Sequence, residues 1–338
     1  ALQLLASQGG HRLTAYYLKV WLEDEVAHLG NCPWEEDLRY ARAACDQVGV
    51  PLRIVSLQAE YLERVVAHAL EELRAGRTPS PDIFCNRRIK FGAFLDRVTD
   101  CERVATGHYA RTARRGQDCL LRRSPDPVKD QTYFLSHLRQ DQVRRALFPI
   151  GHLRKSEVRA LAAEHDLPTR DRKDSQGICF LGKIPYRDFV EFHLGRQCGE
   201  IVEESSGRRL GEHQGYWFYT IGQRFGLGLG GGPWYVVRKD VATNRVYVAH
   251  AAQRLERARH HFEVGGLNWI AGAPEATDLQ VKLRHGPELV GCRVEVAGAG
   301  PVDGVLGVHL AEPDPGIAPG QHAVFYDGEV CLGGGIVL

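Results

Sequence analysis

The first half of the chain alternates strand-like runs with longer segments of helical periodicity, and this order limits the folds it can adopt. Strands are predicted at residues 11–21, 50–57 and 103–106, and helices at residues 34–48 and 61–73. Gly49 and Gly76 follow the two helices, at the position where glycine commonly ends a helix. The alternation predicts a Rossmann-like α/β domain, in which a parallel sheet has helices on both faces. Ligands of such sheets bind beyond the carboxyl ends of the strands.

The second half of the chain has a different pattern of short strands separated by glycine and proline. The strand candidates are residues 234–238, 246–249, 280–284, 290–296, 305–310, 323–326 and 331–338. Regular short strands of this kind predict a closed antiparallel β-barrel. Between the two halves, residues 186–194 predict a short amphipathic helix. We therefore expect three domains: an α/β domain at 1–148, a small central α+β domain at 149–220 and the barrel at 221–338.

The composition is that of an ordinary globular chain, with 43% hydrophobic and 25% charged residues. The net charge of +1 does not exclude a nucleic-acid partner, because lysine and arginine could be grouped on one face. No apolar run approaches the length of a membrane span, so we expect no membrane partner. The nine cysteines lack CxxC pairs and stand at positions 32, 45, 85, 101, 119, 179, 198, 292 and 331. Their scatter argues against a disulfide framework or a zinc ribbon and for a reducing compartment.

Residues 76–92 (GRTPSPDIFCNRRIKFG) place a carboxylate and a thiol directly before a basic segment of helical periodicity. Pro79 and Pro81 fix their own φ angles and push the residues before them toward extended geometry, so a stiff loop is predicted here. This loop holds Asp82 close to Cys85 and places Cys85 near the N-terminus of the following helix, beside cations. Both features favour a thiolate. The alternative is that Cys85 is a small buried hydrophobe, as isolated cysteines usually are.

A second cysteine, Cys179, lies in the short apolar run at 175–182 (SQGICFLG), which follows a charged loop at 170–174. Cys85 and Cys179 are far apart in sequence, so only the fold could bring the two thiols together. The presence of two such thiols makes a chemical role for Cys85 a stronger alternative to simple burial.

Five motifs, in order along the chain, resemble those of the tRNA-specific 2-thiouridylases. They are GRTPSPDIFCNRRIKF around Cys85, ATGHYAR at 105–111, KDQTYFL at 129–135, KDSQGICFLG around Cys179 and PGQHAVFYDGEVCLGGG at 319–335. The resemblance extends from end to end of the chain. It implies a Rossmann-like ATP pyrophosphatase (PP-loop) domain, a small central tRNA-binding domain and a C-terminal β-barrel.

The resemblance implies a tRNA-uridine 2-sulfurtransferase that uses ATP as a co-substrate, with Mg²⁺ and without a tightly bound metal. ATP adenylates the C2 oxygen of the wobble uridine, and sulfur then replaces that oxygen to give 2-thiouridine, AMP and pyrophosphate. By the same resemblance, Cys179 carries the sulfur as a persulfide, and Cys85 is the nucleophile that attacks it or forms a disulfide as sulfur leaves. Asp82 is the candidate acid or base, and its alternative role is to cap the following helix.

Further site residues follow from the matched motifs. Leu18 and Gly107 match nucleotide-contacting positions, although methionine is usual where Leu18 stands. The positions that match tRNA contacts are Ser80, Pro81, Asp82, His108, Lys129, Asp130, Gln131, Arg284, His285 and Gln321. Ser80 replaces a more usual asparagine, and His285 replaces an aromatic residue that should stack more strongly on a base.

Several of these residues also have other interpretations. Gly107 could be a turn glycine, and His108 a satisfied polar residue at a strand end. Lys129 is suited to neutralising a phosphate, whereas Asp130 and Gln131 are suited to orienting neighbours or reading base edges.

Members of this family begin with a strand and a Ser-Gly-Gly-x-Asp-Ser loop that binds the ATP phosphates, and Ala1 falls just beyond the end of that loop. We therefore expect the 338 residues alone to bind ATP poorly.

One alternative to the sulfurtransferase is a tRNA-binding module without catalysis. Another is a different adenylating enzyme of the same fold, such as an amidotransferase-type synthetase, which does not need the two thiols. The resemblance also implies a protein that delivers persulfide sulfur, a monomer, and a bacterial-type cytoplasm or an organellar matrix.

Overall fold

The computed structural model describes residues 1–20, 34–172, 185–297 and 304–338. Its strands are β1 (Ala15–Lys19), β2 (Leu52–Ser56), β3 (Val104–Ala105), β4 (Ala110–Arg115), β5 (Asp118–Arg123), β6 (Ala146–Leu147), β7 (Gly199–Glu203), β8 (Arg209–His213), β9 (Trp234–Asp240), β10 (Arg245–His250), β11 (Arg259–Trp269), β12 (Asp278–Lys282), β13 (Val290–Ala297), β14 (Val305–Asp314), β15 (His322–Asp327) and β16 (Val330–Val337). Its helices are α1 (Leu2–Gln8), α2 (Trp34–Val48), α3 (58–74), α4 (81–97), α5 (Thr132–Leu135), α6 (Gln140–Arg145), α7 (Lys155–Glu164), α8 (Tyr186–Leu194) and α9 (Ala251–Arg254). Wider, π-helical stretches interrupt α3 at Leu62–Val66 and α4 at Cys85–Ala93.

The N-terminal part contains parallel strand pairs, which confirms the predicted α/β arrangement. β1 pairs with β2, with Leu18 opposite Val55, and β3 pairs with β6. Helix α2 covers the predicted residues, and Gly49 follows it with a φ of 67°, in the left-handed region that glycine adopts readily. Helices α3 and α4 pack together through apolar residues that also contact the central part of the chain.

The C-terminal part is the predicted closed antiparallel barrel. Its strands follow the order β11, β14, β13, β12, β15 and β16, and pairing of β11 with β16 closes it. Gly333 is required at this closure, because its φ is 133° and a Cβ there would lie 1.9 Å from the Asn268 carbonyl oxygen. Five of these strands are predicted from the sequence, whereas β11 is not.

A hairpin from the N-terminal part extends the barrel sheet. β4 pairs with β5, and β5 pairs with β16, where Leu121 lies opposite Cys331. The two parts therefore share one eight-stranded sheet. This connection was not predicted, because nothing local in residues 110–123 indicates a partner in the last strand of the chain.

The central part contains a four-stranded sheet in the order β8, β7, β10 and β9. The predicted hairpin of β9 and β10 is confirmed, and Asn244 in its turn has a φ of 50°. The sheet extends from residue 199 to residue 250 and so lies on both sides of residue 220; the exact domain boundaries stay a prediction. Several of its buried residues, including Ile201 and Val236, belong to the same apolar cluster as Cys85.

The segment around Cys85 differs from the prediction in one respect. Helix α4 begins at Pro81, so Asp82 and Cys85 lie on the helix and not in a stiff loop before it. Proline fits the first position of a helix, because its φ is already helical and its missing N–H needs no partner there. Residues three apart lie on the same side of a helix, so Asp82 and Cys85 are neighbours on α4.

Candidate active site

The turn that carries Cys85 is wider than an α-helical turn, and a side chain from another helix accounts for it. Gln142 Nε2 donates hydrogen bonds to the carbonyl oxygens of Arg87 and Phe91, at 2.9 and 2.6 Å. These contacts compete with the regular bonding of the helix. Gly92 permits the close packing, since a Cβ there would lie 2.8 Å from the Arg87 oxygen. Such π-helical turns are rare and frequently occur at functional sites.

Cys85 lies in the interior, with 3% of its surface exposed. The apolar cluster around it includes Tyr61, Ile89 and Trp217. Burial disfavours a charged thiolate in general, so activation of a thiol here depends on neighbouring charges and dipoles. The guanidinium of the nearby Arg88 lies 4.3 Å from the centre of the Phe84 ring and donates to the Arg64 carbonyl oxygen at 2.6 Å. Cys179 lies outside the described residues, and its meeting with Cys85 stays a prediction.

The loop before Cys85 lies against a loop of the barrel. The Thr78 amide donates to the Pro319 carbonyl oxygen at 2.9 Å. Gly320, with a φ of 88°, permits this approach, because a Cβ there would lie 2.8 Å from the Thr78 nitrogen. The contact brings together segments that contain four predicted site residues, namely Ser80, Pro81, Asp82 and Gln321.

Next to Cys85, the Phe84 ring is surrounded by three histidines that the sequence analysis did not single out. The ring centroids of His68, His137 and His322 lie 4.5, 6.3 and 5.4 Å from that of Phe84. The His137 and His322 rings are 4.6 Å apart and almost completely buried. Within the described part of the chain, none of their four ring nitrogens has a hydrogen-bond partner. The cluster thus connects α3, α4 and the barrel around the residue that precedes Cys85.

Burial keeps this histidine pair neutral. Burial, followed by the charge of His68, lowers the pKa of His322 to about 3. Burial also lowers the pKa of His137 well below its ordinary value of 6.5, and the neighbouring His322 and arginines of α4 add to the effect. The pair therefore supplies no positive charge that could stabilise a thiolate on Cys85.

We expect the free energy of unfolding to fall as the pH is lowered below about 6.5. In the unfolded chain, histidines take up protons near that pH, whereas folded His137 and His322 stay neutral to much lower pH. Above it both states are neutral, and the pair adds no pH dependence. Each buried histidine adds a slope of up to about 1.4 kcal/mol per pH unit. Urea denaturation between about pH 7.5 and pH 5 measures this slope.

The matched comparison is the double variant His137→Leu/His322→Leu, which should show a shallower slope. The exposed His152 provides the control, because His152→Leu should leave the slope unchanged. An unaltered slope in the double variant would show that the two histidines are not the source of the acid sensitivity.

The predicted nucleotide-contacting residues lie at the carboxyl ends of parallel strands. Leu18 is the last residue but one of β1 and packs against the apolar cluster of Cys85. Gly107 follows β3, is exposed, and has open space where its Cβ would be. Beside it, His108 Nδ1 is 2.7 Å from Thr106 Oγ1. Burial, followed by the charge of Lys90, lowers the pKa of His108 to about 3, so the ring next to this open glycine is neutral.

The side chains of Asp130 and Gln131 are held by other parts of the chain. Gln131 Oε1 accepts a hydrogen bond from the Tyr109 amide at 2.9 Å. The fully buried Asp130 carboxylate accepts from Lys282 Nζ at 3.0 Å and from Arg123 Nε at 3.1 Å. Burial alone would raise the pKa of Asp130, but Lys282, a hydroxyl neighbour and Arg123 together lower it. Both side chains thus orient their neighbours, and contact of the 129–131 segment with tRNA, including Lys129, stays a prediction.

Arg284 and His285 lie on the surface of the barrel. The His285 ring stacks on Phe134, with a centroid distance of 4.8 Å and an interplanar angle of 25°. Arg284 forms an ion pair with Asp314. One face of the His285 ring is therefore covered by an aromatic side chain of the N-terminal part, and contact of His285 with tRNA stays a prediction.

Three family models match consecutive parts of the chain. The first, described as a tRNA methyl transferase HUP domain, matches residues 1–183. The second, a tRNA methyl transferase PRC-barrel domain, matches residues 187–250. The third, an aminomethyltransferase beta-barrel domain, matches residues 259–337. Together they account for the α/β part, the central sheet and the barrel.

Curated relatives match over almost the whole chain. A protein of Parabacteroides distasonis named tRNA-specific 2-thiouridylase MnmA is 42% identical over 98% of this chain and 93% of its own length. A Bacteroides fragilis protein named tRNA-specific 2-thiouridylase MnmA 2 is 43% identical over 98% of this chain and 94% of its own length. A Porphyromonas gingivalis protein, also named tRNA-specific 2-thiouridylase MnmA, is 42% identical over 97% of this chain and 92% of its own length. The chain belongs to the tRNA-specific 2-thiouridylase family.

Two residues near the site of this 2-thiouridylase family member lie within its motifs, but the motifs do not show what these residues contact. His322 directly follows Gln321 and packs against Phe84, and Phe134 of the KDQTYFL motif stacks on His285. Both partners are far away in sequence. Within the described ranges, no group of three or more His, Cys, Asp or Glu side chains could hold a metal ion. In the same ranges, no helix combines the length and apolar character needed to cross a membrane.

Proposed function

We propose that this protein is a tRNA 2-sulfurtransferase that converts the wobble uridine of tRNAs to 2-thiouridine. One arrangement carries the proposal: Asp82 and Cys85 are neighbours on a helix whose preceding loop contacts the barrel at Gly320. An extruded base would approach the thiol where these loops of the two parts meet. The names of relatives at 42 and 43% identity support this activity.

The reaction requires activation of both the base and the sulfur. The uracil C2 oxygen is a poor leaving group, and transfer of AMP from ATP to this oxygen, with release of pyrophosphate, supplies a good one. Cys179, as a persulfide, provides the sulfur. In one route the terminal sulfur attacks C2, AMP leaves, and Cys85 then attacks Cys179 to free the thiouridine. In the other, Cys85 attacks the persulfide first and releases hydrosulfide, which displaces AMP from C2.

Both routes end with a disulfide between Cys85 and Cys179, so a thiol reductant must restore the two thiols before the next turnover. Asp82, three residues before Cys85 on α4, would take the proton of the Cys85 thiol as it reacts. Leu18 and Gly107 would border the nucleotide, and the open space at Gly107 fits close approach of a ligand to the main chain. Mg²⁺ would accompany the phosphates of ATP.

The tRNA would contact both the α/β part and the barrel. A wobble base lies in a single-stranded loop, where extrusion costs little free energy. Ser80, Pro81 and Gln321 would frame the extruded base, and His108 would contact it as a neutral group. Other predicted tRNA contacts are Lys129, Gln131, Arg284 and His285, whereas the fully buried Asp130 would orient the segment that contains Lys129 and Gln131. A separate protein would deliver the persulfide sulfur to a monomeric enzyme in a bacterial-type cytoplasm or an organellar matrix.

The deciding experiment is thiolation of unmodified tRNA by the protein extended upstream to its initiator methionine. The reaction contains ATP, Mg²⁺ and a sulfur-donor system, and mass spectrometry identifies the product nucleosides. ATP-dependent formation of 2-thiouridine supports the proposal. Binding of tRNA without product favours a binding module that lacks catalysis and would overturn it.

Replacing Gly107 with alanine in the extended protein should weaken ATP binding and leave the fold unchanged. The added methyl group meets open space in the protein, but it would occupy room next to a bound nucleotide. We expect the KM for ATP to rise roughly 10-fold, the effect of losing one close contact. Gly230→Ala is the control, because a Cβ added at Gly230 also meets open space and Gly230 is not among the predicted nucleotide contacts. An unchanged KM in Gly107→Ala would remove Gly107 from the nucleotide site.

A further inference from the structure

An aromatic side chain, Phe225, projects from the central part of the chain. It is 79% exposed, more than any other large hydrophobic residue among those described. The guanidinium of Arg224 lies 5.4 Å from the centre of its ring. The glycine-rich run that follows lacks the Lys-Ser/Thr pair of a phosphate-binding loop, so a nucleotide site of that type does not explain the segment.

The turn that presents Phe225 is fixed on both sides. The Gly222 amide donates to the Val236 carbonyl oxygen at 2.8 Å, and the Val236 amide donates to the Gln223 carbonyl oxygen at 3.0 Å. Gln223 Nε2 donates to the Phe225 carbonyl oxygen at 2.9 Å. Leu227, two residues later, is buried in the apolar cluster of Cys85. The outward position of Phe225 is therefore built into the fold, and little conformational entropy is lost when a ligand contacts it.

This turn lies beside a predicted tRNA contact on the barrel. A Cβ on Gly222 would be 3.4 Å from the Gly316 Cα, and a Cβ on Gly316 would be 2.8 Å from Arg284 Nη1. Arg224 is exposed, and among the described residues it has no carboxylate within ion-pair distance. The central part and the barrel thus place two arginines and one exposed ring on adjoining surfaces.

We infer that Phe225 is a stacking platform for an unpaired base of the tRNA, with Arg224 neutralising a neighbouring phosphate. An exposed aromatic ring next to arginine is the usual means by which proteins hold single-stranded RNA. A protein partner would require a wider apolar patch than this one side chain. The inference rests on the proposed function, because it takes the tRNA substrate as the ligand, and it adds a binding site outside the Cys85 region.

The test measures binding of an unmodified tRNA transcript to the full protein and its variants. Phe225→Ala should weaken binding about 10-fold, as expected for loss of one stacked base. Phe225→Tyr should bind like the original protein, whereas Phe225→Leu should behave like the alanine variant, since leucine is apolar but cannot stack. Phe192→Ala is the control, because Phe192 is also in the central part and is 44% exposed. Arg224→Gln should reduce the slope of log affinity against log salt by about one.

A second measurement reports stacking without relying on activity. In Phe225→Trp, added tRNA should quench fluorescence beyond the change seen in the original protein. Equal affinity of Phe225→Ala and Phe192→Ala for the tRNA, or absence of the extra quenching, would overturn the inference. Thiolation of tRNA by the original protein would still support the proposed function in that case. If the original protein neither binds nor thiolates tRNA, both proposals fail.

Discussion

Replacing Cys85 with serine should reduce the rate of tRNA thiolation by roughly 10³-fold or more, the scale expected when a nucleophile is removed. A serine hydroxyl cannot attack a persulfide to form a disulfide, so both routes of sulfur transfer stop. Serine is nearly the same size as cysteine, and the hydrogen bonds from Gln142 to the carbonyl oxygens of Arg87 and Phe91 remain in the variant. The variant should therefore fold and bind tRNA. Single-turnover formation of 2-thiouridine measures the loss.

Cys45 provides a matched control for this substitution. Like Cys85 it is 3% exposed and lies on a helix, but it belongs to α2 and to none of the site contacts. Cys45→Ser therefore introduces the same buried hydroxyl without removing a reacting group. Equal losses in the two variants would indicate damage to the fold. Undiminished thiolation by Cys85→Ser would exclude the two-thiol chemistry and would mean that the protein thiolates tRNA by another route.

The sequence was sufficient to predict features that depend on neighbouring residues. Helix α2 and the Gly49 that follows it came from periodicity and from the conformational freedom of glycine. The β9–β10 hairpin came from two short apolar runs around Asn244. In each case the residues that determine the structure lie within a few positions of one another, so a pattern in the sequence reports them directly.

The site was less predictable, because its contacts join distant segments. Nothing near Thr78 indicates that its amide bonds Pro319, and nothing near Phe84 indicates that His322 packs against it. The start of α4 was placed too late because the two prolines were both assigned to a loop. Pro81 is instead the first residue of the helix, a position that proline also favours.

A buried ion cluster illustrates how such distant contacts support the site. Asp130, in a segment predicted to contact tRNA, is held by Lys282 of the barrel and Arg123 of the β5 hairpin. The side chains of Asp130 and Lys282 are both completely buried. Thr132 Oγ1 also donates to Asp130 at 2.8 Å. The cluster thus fixes the orientation of the 129–131 segment relative to the barrel.

Replacing Lys282 with methionine should lower the free energy of unfolding by about 3–5 kcal/mol, because it leaves the Asp130 carboxylate buried without its closest cation. Arg123 alone compensates poorly, since its side chain is 19% exposed and partly solvated. The double variant Asp130→Leu/Lys282→Met should lose less stability than Lys282→Met, because the two completely buried charges are removed together and only the partly exposed Arg123 loses a partner. Arg293→Met removes an exposed ion pair with Asp278 and should leave the urea midpoint almost unchanged. A double variant less stable than Lys282→Met would mean that shape, and not charge pairing, determines the stability of this cluster.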